Sequence, residues 1–342
     1  MDKIQQLVQE KYYDPNFRGK DWPAIVETHR PRVIAAETND EFEAAANSML
    51  KELRSGALGL LSAASKISSR NAICASFRPA ETPDGLRWVF QDVAPGGPAD
   101  LAGIQPGNAL LEIAGQEILP PTKPSFPMAS EIEITVGQPS SKSAATVKIR
   151  TPRTKHRDNP AAEPRSVIGD KRKGIAVLKV SLFPGKLGID VANQVSRLLS
   201  TKLSGADHLV IDLRGNPGGG IGGLRLMSFM TPDRLPIGYS MGRNTAVDYG
   251  NRDLLPRFGR IPKSKWQVPL LAMKYARRKS VVLQTEGLGP RKFHGRIAVL
   301  VNEHTTCAAE MVALFAQERR LATIVGTPTP GRLVSHRGFE IG

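Results

Sequence analysis

The spacing of hydrophobic residues changes along the chain, and near the amino terminus it predicts helices. Asp21-Trp22-Pro23 marks the start of one helix, and Thr38-Asn39-Asp40-Glu41 resembles the capping sequence that begins another. Apolar residues then recur at helical spacing, at Phe42, Ala45, Met49 and Leu53. The pattern predicts a helical region over residues 1–68.

Short apolar runs separated by proline and glycine replace this pattern over residues 69–152, and they predict a small β-rich module. The predicted strands include Leu86–Phe90, Leu110–Ile113, Ser130–Val136 and Ala145–Ile149. The next stretch, residues 153–173, is polar, charged and contains proline, which is typical of a linker or a long surface loop.

Residues 174–342 show a third pattern, in which apolar strands alternate with helices. The predicted strands are Gly174–Val180, His208–Leu213, Ile297–Val301 and Ala322–Val325, and the predicted helices are Gly188–Leu199, Leu224–Met230 and Ala308–Arg319. This alternation predicts an α/β core with a largely parallel sheet covered on both faces. The fold class is therefore α/β, with a β-rich module and an amino-terminal helical region.

Composition narrows the class of protein. Of the 342 residues, 40% are hydrophobic and 23% are charged, which excludes a disordered chain. No apolar run is long enough to span a membrane, and the start of the chain lacks the apolar region of a secretory signal, so we expect a cytoplasmic protein, or a periplasmic one if a leader is missing. Two cysteines are too few for a disulfide framework or a structural zinc site. We therefore predict no metal and no cofactor.

The net charge of +15 is concentrated in two segments, Ser141–Lys173 and Arg257–Arg296. A basic chain raises the possibility of nucleic-acid binding. However, the sequence has no zinc-finger or helix-turn-helix signature, and Trp266 and Tyr275 are too isolated to form a platform for stacked bases. We therefore interpret the two segments as solvated basic surfaces and expect no nucleic-acid partner.

A glycine-rich turn follows the predicted strand His208–Leu213. In Arg214–Gly220, successive backbone N–H groups can face a developing anion, as in an oxyanion hole. Gly218, Gly220 and Gly223 also fit the spacing of a dinucleotide-binding turn, but the next strand ends without the acidic residue that such a site needs. A tight turn without any ligand is the remaining alternative.

Cys307 lies at a second strand-to-helix junction. A thiol at the amino terminus of a helix is near the positive end of the helix dipole, which favours the nucleophilic thiolate. The alternative is a small buried apolar residue, which is what most free cysteines are. His304, three residues earlier, is a candidate base or a polar residue of the turn.

These motifs, in this order, resemble the carboxyl-terminal processing peptidases, also called tail-specific proteases. The resemblance covers nearly the whole chain, including a PDZ-like domain in the middle. The residues that carry it are Tyr13–Phe17, Asp21-Trp22, Gly85–Val89, Gly97–Asn108, Asp212–Gly219, Val299–Asn302, Thr305–Glu310 and Ile324–Gly331.

The resemblance implies a core similar to the crotonase fold and a serine peptidase with a Ser-Lys dyad. In this chain the position of the serine is Cys307, the position of the lysine is Arg332, and an amide residue of the family corresponds to His336. Cysteine remains a competent nucleophile, whereas arginine does not deprotonate and so cannot be the base. A Cys307/His336 pair is chemically possible, with Arg332 favouring the thiolate or binding a substrate carboxylate.

The resemblance also implies where a substrate binds. The backbone N–H groups of Gly218, Gly219 and Ala308 are the expected oxyanion donors. The PDZ-like domain is expected to capture peptide carboxyl termini by strand addition near Gly85, Leu86, Arg87 and Trp88. Polypeptides are thus the expected partners. Because both dyad positions are substituted, a peptide-binding relative without catalysis is the alternative hypothesis. The chain ends soon after Arg332, so we expect the core to be incomplete at its carboxyl terminus.

Overall fold

A computed structural model of the chain divides into two compact units. The first unit comprises Met1–Ser65, Leu224–Phe293 and Gly331–Gly342, and the second comprises Lys66–Gly223 and His294–Pro330. The structure describes residues 1–54, 58–60, 68–69, 72–94, 96–138, 143–151, 167–185, 187–241, 243, 254–275, 280–333 and 339–341. His336 and residues 153–166 of the predicted linker lie outside the described residues.

The helices and strands are numbered in chain order. The helices are α1 Asp2–Lys11, α2 Trp22–Ile34, α3 Asn39–Lys51, α4 Pro98–Leu101, α5 Ile189–Ser200, α6 Gly223–Met230, α7 Val268–Tyr275 and α8 Ala308–Glu318. The strands are β1 Ser68–Ser69, β2 Ala75–Thr82, β3 Gly85–Val93, β4 Ala109–Ile113, β5 Gln116–Glu117, β6 Phe126–Pro127, β7 Glu131–Gly137, β8 Ala144–Arg150, β9 Val167–Arg172, β10 Ile175–Val180, β11 His208–Asp212, β12 Pro236–Ser240, β13 Arg257–Phe258, β14 Val281–Gln284, β15 Arg296–Val301 and β16 Thr323–Gly326.

The amino-terminal helices begin where the sequence predicts. The Asp21 side chain accepts a hydrogen bond from the Ala24 N–H at 3.1 Å, and Thr38 Oγ1 accepts one from the Glu41 N–H at 3.2 Å. Both bonds satisfy N–H groups that a helix start otherwise leaves without partners. The predicted capping sequence is therefore confirmed. Trp22 and Met49 are fully buried in the core that these helices share.

The rest of the first unit contains a small sheet with the strand order β12-β14-β13 and a buried ion pair. The Arg225 guanidinium donates to both carboxylate oxygens of Glu286, through Nε and Nη2. The Glu286 carboxylate also accepts the Ile261 N–H at 2.9 Å. Both side chains of the pair are buried, so each charge depends on the other for its compensation.

The β-rich part of the second unit is an antiparallel sheet with the order β2-β3-β4-β7-β8, in which β5 pairs with β4. The strands that the sequence predicts in this region are confirmed as β3, β4, β7 and β8. One face of the sheet forms a core in which Phe77 and Phe90 contact each other with ring centroids 4.7 Å apart.

The α/β part of the second unit has the strand order β16-β15-β11-β10-β9. Neighbouring strands are parallel from β10 to β16, and β9 is antiparallel to β10. The predicted alternation of strands and helices is thus confirmed. The sheet differs from the prediction at two points. Val167–Arg172 is a strand, although it was expected to be part of a linker, because it pairs with β10 along its whole length. In addition, Ile175 and Val177 of β10 are exposed rather than covered by a helix.

We expect Arg225→Ala to lower the free energy of unfolding by about 3–5 kcal/mol, because it leaves the buried Glu286 carboxylate without a compensating charge. Urea denaturation followed by circular dichroism measures the change. Arg30→Ala is the control, since Arg30 pairs with Asp2 and Glu27 at the surface, where water screens the charges, and it should change the stability little. Equal losses in the two variants would contradict the prediction.

Candidate active site

The glycine-rich turn after β11 is held by two buried side-chain amides. Asn216 donates through Nδ2 to the Val180 carbonyl at 2.8 Å, at the end of β10. Asn302, at the end of β15, accepts the Gly215 N–H through Oδ1 at 2.9 Å. Because Asn216 is inaccessible to water, breaking its bond to Val180 would leave the buried Nδ2 without a partner. The turn is therefore fixed to the ends of the strands on either side of β11.

Cys307 occupies a sharp turn between β15 and α8. Its backbone has φ +55° and ψ −121°, a conformation that residues with a side chain rarely adopt. The Cys307 N–H donates to Glu310 Oε2 at 2.9 Å, so a carboxylate from the first turn of α8 stabilises this unusual backbone. The Cys307 side chain is partly exposed. The thiol is thus at the start of a helix and not sealed inside the core.

The backbone of the glycine-rich turn passes directly against Cys307. Gly218 has φ +91°, and a Cβ atom built on it would lie 2.6 Å from the Cβ of Cys307 and 2.9 Å from the amide nitrogen of Ala308. The Thr306 N–H donates to the Asn216 carbonyl at 2.9 Å, which ties the two segments together. No residue other than glycine fits at position 218 without displacing one of the two segments.

The predicted oxyanion donors differ in their hydrogen bonds. The Gly218 N–H donates to Asn216 Oδ1 at 2.7 Å and so is already occupied. The Gly218 carbonyl accepts the Phe183 N–H at 2.9 Å. Because C=O and N–H point in opposite directions in a trans peptide, the Gly219 N–H points away from Phe183. Within the part of the chain that the structure describes, the N–H groups of Gly219 and Ala308 have no protein acceptor.

The structure brings Cys307, Gly218, Gly219 and Ala308 together, and the other predicted catalytic residues have different surroundings. Arg332 is an exposed residue of the first unit, whereas Cys307 belongs to the second unit. His336 lies outside the described residues. His304 is nearly buried, and its Nε2 lies 3.7 Å from Glu303 Oε1. The backbone N–H of His304 donates to Asn302 Oδ1 at 3.1 Å, so His304 is part of the turn between β15 and α8 that also contains Cys307.

The predicted substrate-binding residues at the start of β3 have different environments. Gly85 and Leu86 are exposed and pair with β2. The Arg87 guanidinium forms an ion pair with Glu117 at 2.5 Å. The Trp88 ring is buried, and its indole N–H donates to the Thr122 carbonyl at 2.8 Å. Of the three side chains of Leu86, Arg87 and Trp88, only that of Leu86 is both exposed and without a hydrogen bond among the described residues.

Arg214 connects the turn to the antiparallel sheet, which sequence reasoning missed. Its guanidinium forms two bonds of 2.9 Å with the Asp212 carboxylate, and Nη1 lies 2.8 Å from Asp92 Oδ1 on β3. The hydrogen bonds to Asp212 raise the pKa of Arg214 above its ordinary value. The spacing of Asp212 and Arg214, two residues apart, is a signal in the sequence for their ion pair. The sequence gives no indication that Arg214 also contacts the distant Asp92.

Two buried polar residues were also missed as parts of the site. Asn302 accepts the N–H groups of both Gly215 and His304, so one side chain orders both turns. Glu310 is buried, and its carboxylate accepts the Cys307 N–H. A glutamate in the first turn of a helix would ordinarily be expected in solvent. The described residues include no group of His, Cys, Asp and Glu side chains that could hold a metal ion.

Comparison with known proteins places this site in a family. Residues 174–342 match the family model Peptidase family S41, and residues 1–51 match the Tricorn protease C1 domain. A tricorn protease homologue of Streptomyces coelicolor is 24% identical over 276 residues, in an alignment that covers 70% of this chain and 22% of that protein. The carboxyl-terminal-processing protease of a Picosynechococcus species is 22% identical over 351 residues, which covers 98% of this chain and 73% of that protein.

A solved structure, that of the photosystem II D1 C-terminal processing protease, is similar in fold. It superposes with a TM-score of 0.50 at 16% identity, and the match covers 96% of this chain and 81% of that one. The chain thus spans less than a quarter of the tricorn homologue and most of the two processing proteases. Residues 174–342 belong to peptidase family S41, and the chain is a relative of the serine-type carboxyl-terminal processing peptidases, as its motifs predict.

Proposed function

We propose that this protein is a peptide hydrolase in which Cys307 is the nucleophile. The observation that carries the proposal is the close approach of Gly218 to Cys307, which puts the thiol-bearing residue beside the N–H groups of Gly219 and Ala308. Two backbone donors that have no acceptor among the described residues, next to a nucleophile, match what the negative oxygen of a tetrahedral intermediate requires. These donors are main-chain groups, so they do not depend on whether residue 307 is serine or cysteine.

The reaction proposed here proceeds through a thioester. The Cys307 thiolate attacks the carbonyl carbon of the scissile peptide bond, and the oxygen becomes an anion held by the two N–H groups. The C–N bond then breaks, and the amine leaves with a proton from the base. Water attacks the remaining thioester, which releases a carboxylic acid and restores the thiol. We propose His336 as the base, and His304 is the second candidate because it belongs to the same turn as Cys307.

We also propose that the antiparallel sheet of β2, β3, β4, β7 and β8 is a PDZ-like domain and that the α/β part resembles the crotonase fold. Substrates are then polypeptides whose carboxyl termini add to the PDZ-like domain near Gly85 and Leu86. The exposure of these two residues supports this assignment. Arg87 and Trp88 contribute to it by holding β3 in place, since their side chains pair with Glu117 and the Thr122 carbonyl.

The second candidate function is peptide binding without hydrolysis. The substitutions that favour it are Cys307 and Arg332, which stand at the two positions of the family's Ser-Lys dyad. A relative that has lost its base would keep the backbone donors and the peptide-binding sheet. The two functions differ only in turnover, so the activity of nucleophile variants distinguishes them.

We expect Cys307→Ala to abolish the degradation of an unfolded protein with an apolar carboxyl terminus, because the variant lacks the thiol that forms the proposed acyl-enzyme. The measurement is kcat/KM for the wild type, Cys307→Ala and Cys307→Ser, with a loss in the alanine variant on the order of 10³-fold or more. Cys74→Ser is the control for a general effect of removing a thiol. Equal residual activity in the wild type and both Cys307 variants would exclude hydrolysis at this turn and leave peptide binding.

The base can be identified from the reactivity of the thiol. We expect iodoacetamide to modify Cys307 faster than the buried Cys74, and His336→Ala to slow that modification about 10- to 100-fold by removing the partner of the thiolate. Mass spectrometry of the modified peptides gives both rates. A similar slowing in His304→Ala but not in His336→Ala would assign the base to His304. Modification at the rate of a free thiol in all variants would exclude both histidines.

We expect Gly218→Ala to lower kcat/KM by at least about 100-fold, because the new Cβ displaces the turn from Cys307 and spoils the geometry of the donors. Gly205→Ala is the matched control. Gly205 also has a positive φ, of +65°, but it faces open space and lies at the opposite end of β11. Both variants carry the backbone strain of a side chain at positive φ, so a similar loss of activity in both would contradict the role assigned to Gly218.

A further inference from the structure

A helical segment of the first unit exposes large apolar side chains to solvent. The short helix Lys265–Gln267 continues into α7, since Val268 has helical backbone angles. Trp266, Leu270 and Met273 are 93%, 72% and 78% exposed. Their spacing of four and then three residues puts them on one face of the helical segment. Three large apolar side chains aligned in this way form a patch rather than scattered surface residues.

The sequence around this helical segment is basic. Between Leu254 and Thr285 the sequence contains eight lysine and arginine residues and no aspartate or glutamate. Among the described ones, Arg257, Arg260, Lys263 and Lys265 are exposed. The first acidic residue after the segment is Glu286, which is buried against Arg225. All of the charged side chains between Leu254 and Thr285 are therefore basic.

We propose that this surface docks on an anionic lipid membrane. We call it the basic apolar face, and define it by Lys263, Lys265, Trp266, Leu270 and Met273. A helical segment that exposes an indole and aliphatic side chains beside lysines is suited to the boundary between headgroups and acyl chains. The apolar side chains leave water there, the indole ring occupies the headgroup level, and the cations meet anionic headgroups.

The combination of positive charge and apolar side chains argues against two other partners for this face, a second copy of the chain and a nucleic acid. A second copy of the chain meeting it across a two-fold axis would bring lysines opposite lysines, which repel each other. A nucleic acid would attract the cations but would give Leu270 and Met273 no apolar partner, and Trp266 is the single aromatic side chain on the face. An anionic membrane accounts for the apolar and the charged residues together. None of the described helices is long and apolar enough to cross a membrane.

The tryptophans of the chain provide a direct readout. Trp22 and Trp88 are 0% and 7% exposed, whereas Trp266 is almost fully exposed. A change in the polarity around an indole on membrane binding therefore reports on Trp266. We expect vesicles of equal parts phosphatidylcholine and phosphatidylglycerol to shift the emission of the full-length chain to shorter wavelength and to protect it from quenching by acrylamide. Vesicles of phosphatidylcholine alone should produce a much smaller change.

Flotation with the same vesicles measures the binding of variants independently of fluorescence. Replacing Leu270 and Met273 together by glutamine should weaken partitioning about tenfold through lost apolar burial. Replacing Lys263 and Lys265 together by glutamine should weaken it about 25-fold, at roughly fivefold for each cation. Leu101→Gln is the matched control, because Leu101 on α4 is also about four-fifths exposed but lies in the second unit.

Several outcomes would overturn the proposal. The first is the absence of an emission shift and of flotation with anionic vesicles. The second is equal binding to the anionic and the uncharged vesicles. The third is an equal loss of binding in Leu101→Gln and in the Leu270 and Met273 double variant. An emission shift that rises with protein concentration in the absence of lipid, together with a dimer in sedimentation, would assign the face to a second copy of the chain instead.

Discussion

The arrangement of the candidate site depends on one steric constraint, the absence of a side chain at residue 218. The main chain of the glycine-rich turn lies so close to Cys307 that a methyl group on Gly218 would overlap the Cβ of that cysteine. This approach joins the turn after β11 to the turn before α8, although Gly218 and Cys307 are almost ninety residues apart in the chain. The bonds from the Gly215 N–H to Asn302 and from the Thr306 N–H to the Asn216 carbonyl hold these two stretches of backbone together.

The supporting contacts are hydrogen bonds of buried amides, a carboxylate and a guanidinium. Asn216 and Asn302 satisfy backbone groups of the turn, and Glu310 holds the strained backbone of Cys307. Buried groups of this kind are costly to leave without partners, so the bonds of Asn216, Asn302 Oδ1 and Glu310 favour this arrangement of the turn. Because the proposed donors belong to this rigid main chain, a change from serine to cysteine at residue 307 leaves the anion-binding geometry in place. What the change demands is a base suited to a thiol, which arginine at residue 332 cannot supply.

The sequence predicts the features of the molecule that depend on neighbouring residues. The caps at Asp21 and Thr38, the strands β11 and β15 and the turn at Cys307 all follow from local patterns, and the structure has them. It could not predict that Asn216 takes up the Gly218 N–H, because a side-chain bond of this kind depends on the exact path of the turn. The pairing of Arg214 with Asp92 and the strand at Val167–Arg172 were missed for a similar reason, since each depends on a partner that is distant in the chain or on a second strand.

The basic apolar face is informative because the fold does not require it. The segment is anchored in the first unit by the buried Phe258 and Ile261 and by the bond from the Ile261 N–H to Glu286. The side chains of Trp266, Leu270 and Met273 are in water, so polar residues at these positions would preserve the same helix and avoid the cost of hydrating an apolar patch. Folding explains the buried Phe258 and Ile261, and the proposed membrane contact explains the exposed Trp266, Leu270 and Met273. The partner must contact both apolar and positively charged side chains. An anionic membrane fits this requirement, because its surface is negatively charged and its interior is apolar.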